Sequence, residues 1–586
     1  MSTPLKSIKS NELYTNFSNG LKSFKDLALN NEHEGLTSQK SKIRSIKSHQ
    51  EINPLIKQTD DELLAQIGYK PELKRQFSTI QVFGVAFSIM GLLPSIASVI
   101  GQSFTTGSSS AIWGWFISGG LILLIGICMS ELASSIPTSG GLYYWTYHYA
   151  PENWKIPLSF LVGNSNTVAL TGALCSIDYG FAKEVLSIVY ISKDGDFEIT
   201  DAMTYGVYCA CILSHILVTC LASKNIASLQ SFSIVSNVLL IIFFIIVILV
   251  GTGTSSSHHF NNASFIFGNL ETSLSDWSSG WSWIMNGMLP CIWTIGAFDS
   301  CVHMSEEAKN SSRSVPRGIL GSITACWLLG WIILIVCGAV INPDLSSVID
   351  SESGQPMAEI IYHSLGKKWS ISFMSLIASC QWLMGASTIT ATSRQIWAFA
   401  RDNGLIFSQF VKVVNKKLSV PIRAIWFNGV LAIIMGTLCL IGPTAANALF
   451  TLYICGNYFA WEIPIMLRIY RSFGPVDSIY KFKPGLFYMG PRLSPIINWI
   501  TIFFTNFVII MAMFPTSPHV DKENMNYTVV ITMSTWILSM IYYYSYAKKT
   551  YFGPRNTLDE QEQDSDDYIE GNEMLNIDDI IEDKKE

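Results

Sequence analysis

Asp299 is where chemistry first shows itself, because a carboxylate sits poorly in an apolar run. The segment Gly280 to His303 reads GWSWIMNGMLPCIWTIGAFDSCVH, so Asp299 falls inside a stretch fit to enter a membrane. An unpaired carboxylate there costs a few kcal/mol and marks a functional position. Gly287 and Pro290 precede it, and Thr294, Ile295, Gly296 and Phe298 surround it. A second run, Ile80 to Ile100, has 21 residues without a charge, yet its centre reads Ser88-Ile89-Met90-Gly91-Leu92-Leu93-Pro94-Ser95. Glycine holds helix weakly and proline removes a donor while clashing with the preceding turn. A break at that depth frees N–H and C=O groups, which is tolerable only in protein or beside a cavity. Two interrupted apolar segments at matching places in two halves of a chain point to a ligand site near the midplane. The plainer alternative is a pair of kinked packing helices. The chemistry indicated is recognition, not bond-making: no nucleophile–histidine pairing, phosphate loop or metal cluster stands out, and neither cofactor nor nucleic-acid binding is expected.

The elements that must hold these residues are membrane helices. The chain has 586 residues, 49% hydrophobic and only 14% charged, against about 25% charged in soluble domains. Apolar spans fall at about 80–100, 111–133, 157–182, 205–222, 229–251, 281–304, 316–341, 371–395, 421–441, 445–467, 495–514 and 528–547, each near the length that crosses a bilayer. The expected fold class is therefore an all-α polytopic membrane protein of 12 helices. Residues 1–78 read as a solvated, disordered cytoplasmic tail without an apolar signal region. Residues 79–548 form the membrane domain, and 549–586 an acidic cytoplasmic tail. From Thr557 onward there are 13 acidic residues against 2 lysines, which leaves 36 basic and 31 acidic residues elsewhere. With the N-terminus inside, 33 Lys/Arg lie on the cytoplasmic side and only Lys183, Lys193, Lys367, Lys368 and Lys522 outside, as the positive-inside rule asks. Sequons at Asn262 and Asn526 fall in outside loops, where N-glycosylation would act. The twelve cysteines lie mostly in apolar spans without metal-like spacing and read as small buried hydrophobes.

Charges cluster where spans meet the inner side. Glu131 opens the loop running to Pro137, Gly140 and Gly141; Glu306 and Glu307 follow the sixth span, and Arg394 and Arg401 end the eighth. These are either ordinary helix-end charges or an inner gate whose ion pairs break on opening. Among other ionisable groups, Asp178 reads as a helix-end residue or a ligand contact, and His215 as a satisfied interhelical histidine. Glu462 either relays protons or pairs with Arg468. Asn164, Ser165 and Asn166 either glue helices together or line the site.

The loops carry a resemblance. ELASSIPTSGGLYYWTYHYAP, FDSCVHMSEEAKNSSRSVPRGI and SRQIWAFARDNGL, in that order, resemble the amino acid–polyamine–organocation transporters. VAFSIMGLLPSIASV, CSIDYG, WTIGAFDSCVH and LGKKW bring the chain closer to the fungal GABA permeases of the amino acid/choline branch. The similarity covers about residues 78–555 and leaves out both tails. It implies a five-plus-five inverted repeat (LeuT-like), with spans 1 and 6 broken around the substrate and two further helices. No repeat between the halves is legible in the residues themselves.

Under that resemblance the substrate carboxylate meets open N–H groups near Ser88, Ile89, Met90, Gly91 and Leu92, since a helix N-terminus attracts anions. The ammonium end then meets carbonyls of Thr294, Ile295 and Gly296, the ring of Phe298, or Asp299. Relatives that carry a lysine on span 5 in place of sodium suggest a coupling position, where this chain offers Asn237. Protonation of Asp299 or Glu462 is the alternative. The implied activity is proton-coupled uptake of GABA and related ω-amino acids by alternating access, in the plasma or the vacuolar membrane, with protons and membrane lipids as the other partners. Polyamines such as putrescine, or choline-like cations, are the alternative substrates. A non-transporting amino-acid sensor is the rival class, and an ion channel lacks a pore motif.

Overall fold

The computed structural model describes residues 60–555 apart from 67, 70–71, 222–225, 256–257, 276, 416–417, 419, 474–480, 516–517 and 521–524. The tails at 1–59 and 556–586 and Lys522 of the charge argument lie outside the described residues. Among the described residues there is no strand, only isolated bridges such as Phe77 with Ala308.

The helices that matter below are α1 (Asp60–Gln66), α2 (Thr79–Met90), α3 (Leu92–Phe104), α4 (Ser108–Ser135), α5 (Lys155–Ser192), α6 (Asp201–Leu221) and α7 (Ile226–Thr254). They continue as α8 (Ser279–Thr294), α9 (Ser311–Val340), α10 (Lys367–Arg401), α11 (Ile422–Met435), α12 (Pro443–Ser472), α13 (Gly490–Ala512) and α14 (Thr528–Ser545). Among the described residues, each apolar span expected from sequence is helical over most of its length. Eight of these helical stretches are long and apolar enough to cross a membrane, with α2 and α3 counted together. The other four expected spans, at α8, α10, α12 and α14, are shorter or more polar.

Burial sorts the helices. The α2–α3 stretch is the most buried of the eight, and α5 follows it. Helix α5 packs against α6, α10 and α12, while α2 packs against α7, α9 and α10. In contrast, α7 turns Phe232, Val235, Leu239, Ile242, Ile246 and Val250 outward. That three-and-four spacing makes an apolar stripe on one helix face, suited to lipid. Helices α4 and α8 meet at small residues: a Cβ on Gly114 would lie 2.4 Å from the Gly287 carbonyl carbon. Only small residues let two backbones approach that closely.

Two expectations change here. Asp178 is no helix-end residue, because α5 runs on to Ser192 and leaves it fully buried inside the helix. The stretch 60–77, expected to belong to a solvated tail, instead folds back on the protein. The Asp60 carboxylate accepts from the Asn310 and Ser311 N–H groups. Arg75 donates to the Ser305 and Ala308 carbonyls and pairs with Asp61 at 2.8 Å.

Candidate functional site

The first break is a single residue wide. Helix α2 ends at Gly91, which adopts φ 39°, ψ 62°, and α3 starts at Leu92. This left-handed conformation suits glycine, which has no Cβ to clash. The Gly91 N–H still closes the preceding turn on the Phe87 carbonyl at 3.1 Å, and the Gly91 carbonyl accepts from the Ser95 N–H at 2.8 Å. Leu92 and Leu93 open α3, so their N–H groups have no acceptor within the helix, while Pro94 has none to offer. Ser95 Oγ ties back to the Met90 carbonyl at 2.6 Å. Ser88 Oγ is buried and unpartnered among the described residues. Ile89 and Met90 are buried beside it.

The second break is looser. Helix α8 contains Pro290 and ends at Thr294; Ile295 has φ −92°, ψ 49°, followed by Gly296, a 3₁₀ turn at Ala297–Asp299 and a short helix Ser300–His303. That turn packs against α2, and α8 packs against α3. The two breaks thus lie on helices that pack together, α2 and α3 on one side and α8 with its turn on the other. Thr294 Oγ1 and Asp299 Oδ1 are buried with no partner among the described residues. Asp299 Oδ2 accepts from Trp461 Nε1 at 3.1 Å and from Asn166 Nδ2 at 3.4 Å, with His303 Nε2 at 3.8 Å. Buried polar groups are nearly always hydrogen-bonded, and Ser88 Oγ, Thr294 Oγ1 and Asp299 Oδ1 are three exceptions beside the two chain breaks. Phe298 is fully buried, its ring 4.5 Å from that of Trp461.

Several wall residues escaped the sequence reading. Tyr453 crowds Gly296 so closely that a Cβ there would lie 2.3 Å from its hydroxyl. Met384 lies against Gly91, and Ser95 Oγ is 3.5 Å from its Sδ. Trp461 and Asn457 complete the surroundings of Asp299 and Asn166. Asn166 carried a signal as a polar residue in an apolar span; Met384 and Tyr453 carried none, since their types are ordinary core types.

The expected coupling residues separate. Asn237 on α7 is buried, its Nδ2 donating to the Ser233 carbonyl at 2.9 Å while Oδ1 has no partner among the described residues. Glu462 does not pair with Arg468. Its Oε1 accepts from Asn506 Nδ2 at 2.5 Å, and Arg468 instead binds Glu131 at 2.5 Å. Glu131 also accepts from Ser494 Oγ and the Met489 N–H. It is thus an anchor for α12 and α13, apart from the other charges with which it was grouped.

Those other charges do meet. Arg401 binds both oxygens of Glu306 at 3.1 and 3.2 Å, and Arg394 binds Glu307 at 2.8 Å. All four are buried. Tyr69 and Gln76 lie against them. Gln76 donates to Glu307 at 3.2 Å, and the Arg401 guanidinium lies 4.0 Å from the Tyr69 ring centre. Tyr69 and Tyr143 donate to Asp402 Oδ2 at 2.9 and 2.7 Å. Burial pushes the Tyr69 phenol well above its ordinary range, so it stays a donor. Burial also raises the Asp402 carboxyl, opposed by Arg401 and these hydrogen bonds.

Asn262 is exposed and caps a short helix with its side-chain oxygen on the Phe265 N–H. Asn526 is tied through Nδ2 to the Ala512 and Phe514 carbonyls. Asp178, Cys211 and His215 bring one donor atom each within 4.8 Å. They number three where a structural metal site closes with four, and the backbone at Gly385 fills the near side.

Residues 77–535 match the amino acid permease family model. The chain is 50% identical over 541 residues to the GABA-specific permease of Saccharomyces cerevisiae, covering 92% of each. It is 32% identical to an uncharacterized amino-acid permease of Schizosaccharomyces pombe, over 86% of this chain and 90% of that one. A plant relative, amino-acid permease BAT1 of Arabidopsis thaliana, is 28% identical over 82% of this chain and 95% of its own. The chain belongs to the amino acid permease family, as a multi-pass membrane protein of amino acid transport.

Proposed function

We propose that this protein is a proton-coupled permease for GABA and related ω-amino acids, working by alternating access. The observation that carries the reading is the pair of chain breaks on helices that pack together. One offers the open N–H groups of Leu92 and Leu93; the other offers the unpartnered oxygens of Thr294 and Asp299. A helix N-terminus favours an anion, and a buried carboxylate oxygen favours an ammonium. A short chain with a charge at each end fits both at once. The similarity to a relative named a GABA-specific permease supports the same substrate.

The reading extends to a LeuT-like five-plus-five repeat with α2/α3 and α8 as its broken members, twelve crossings in all, and both termini in the cytoplasm. Arg394, Arg401, Glu306 and Glu307 then form the closed inner gate, with residues 60–77 laid over it. Coupling at Asn237, Asp299 or Glu462 is the corresponding sequence-based assignment.

The test is uptake of labelled GABA in cells lacking their own GABA transport, at two external pH values, with putrescine and choline as competitors. Acid-stimulated uptake blocked mainly by ω-amino acids is expected. Entry of putrescine or choline without GABA would replace the substrate and leave the fold.

A further inference from the structure

A buried ionisable pair lies outside the two breaks and has no part in the site described above. Asp178 on α5 and His215 on α6 are both fully buried, with Nδ1 3.4 Å from Oδ2. His215 Nε2 lies 2.9 Å from the Trp382 carbonyl of α10. A carbonyl only accepts, so Nε2 must carry a hydrogen. Nδ1 then points at a carboxylate. With a neutral imidazole and an ionised Asp178, a lone pair would face an anion, and Asp178 Oδ2 has no other hydrogen-bond partner among the described residues. The arrangement is satisfied when one more proton lies between them, on Nδ1 as an ion pair or on the carboxyl as a neutral one. Either form has no net charge, which is the form a buried site favours.

The neighbours do not supply a counter-charge. From α5, Cys175 lies nearby; from α6, Cys211 donates to Asp178 Oδ1 at 3.6 Å and Tyr208 stands a turn away, turned to the Ala432 carbonyl of α11. These thiols and this phenol are neutral at ordinary pH. From α10 come the Trp382 carbonyl, Gly385 and Gln381; from α3, Ser98; from α11, Gly429, against which Ile216 packs. Glu184, further along α5, lies toward Cys380. His215 is the one ion-pair partner of Asp178 among the described residues.

The pair is wired to the first break through one helix. A Cβ on Gly385 would lie 2.3 Å from His215 Cε1 and 2.6 Å from Asp178 Oδ1, so α10 rests directly on the pair. The preceding residue, Met384, is the side chain that packs on Gly91. Gln381 donates to the Ile177 carbonyl at 3.0 Å, beside Asp178, and approaches Ser98 of α3.

We propose that Asp178 and His215 together bind the proton that is co-transported with substrate. The inference rests on the proton-coupled reading above and gives it a site other than Asn237, Asp299 or Glu462. In the closed state the proton is held between the two groups and sealed from water. On opening inward, the N–H or O–H bond breaks and the proton passes to water. What remains is a carboxylate facing a neutral imidazole that keeps its Nε2 hydrogen. Their repulsion shifts α10, and Met384 moves against Gly91.

The experiment compares wild type with Asp178→Asn and His215→Gln in proteoliposomes, reading GABA/GABA exchange and pH-driven GABA accumulation from pH 5 to pH 8. Asparagine stands in for the protonated carboxyl, and glutamine can still donate to the Trp382 carbonyl. Wild-type accumulation should fall by up to about tenfold per pH unit where a single site loses its proton. Both variants should keep exchange, lose accumulation and show a flat pH profile. A wild-type pH slope kept by either variant overturns the assignment while leaving proton coupling intact. A wild type indifferent to pH overturns proton coupling itself, and this site with it.

Discussion

Replacing Gly91 tests the seat of the ligand and the reasoning behind it. The residue holds φ 39°, ψ 62°, where a Cβ costs about 1–2 kcal/mol from the backbone alone. The new Cβ would also stand 2.7 Å from Met384 Sδ and 3.2 Å from Met384 Cβ. At 2.7 Å the thioether must leave its packed position, so overpacking adds about 1–3 kcal/mol. Gly91→Ala should thus disfavour the broken geometry by about 2–5 kcal/mol, and Gly91→Val by more, since a β-branched residue tolerates positive φ least. Because about 1.4 kcal/mol is tenfold in an equilibrium, GABA uptake should drop at least tenfold for alanine and vanish for valine. The double variant Gly91→Ala/Met384→Ala should recover the crowding part only, with a coupling energy of about 1–3 kcal/mol. The assay is labelled GABA uptake divided by surface protein in cells without their own GABA transport. Wild-type uptake by Gly91→Val at equal surface density would refute the assignment of this break to the ligand. Failure of Met384→Ala to rescue any activity would refute the steric half of the argument.

Four other predictions accompany it. Asp299→Asn should raise KM at least tenfold with near-normal protein levels, because asparagine can still accept from Trp461 while the charge for an ammonium is gone; an unchanged KM removes Asp299 from the site. Arg401→Ala strands the buried Glu306 and should lower stability by about 3–5 kcal/mol, read as an earlier thermal transition in detergent; a transition within error of wild type would sink the buried-pair argument. Arg75→Ala removes bonds to Asp61, the Asp60 carbonyl, Ser305 and Ala308, so cysteine labelling at position 308 should speed up severalfold if the 60–77 segment covers that loop. Asp402, whose carboxyl burial raises in the folded state, binds its proton more tightly folded than unfolded. Its contribution to stability is full below the ordinary value of about 3.9 and is lost as pH rises through the raised one. A thermal-transition series against pH should show that loss in wild type and its absence in Asp402→Asn.

Gly91, Pro94, Pro290 and Gly296 were legible because helix breaking is local: a missing Cβ or a missing N–H acts within one turn, whatever surrounds it. Asp299 was legible because its cost depends on the apolar run in which it sits. The partners of the charges were not. Glu462 looked suited to Arg468 because the two are near in sequence, yet Arg468 turns to Glu131, 337 residues away in sequence. The 60–77 segment read as tail because its residues are polar, a property that says nothing about the open N–H groups of Asn310 and Ser311 waiting for a carboxylate.

The sequence by itself determined that this chain enters the membrane many times, where two of its spans break, and to which family it belongs. Composition, local backbone chemistry and motif order are each written in consecutive residues. Only the tertiary structure decided which buried groups face one another: Asp178 with His215, Glu131 with Arg468, Met384 with Gly91. Those meetings depend on how long helices cross and rotate against each other, and a rotation of one residue, about 100°, would exchange every partner.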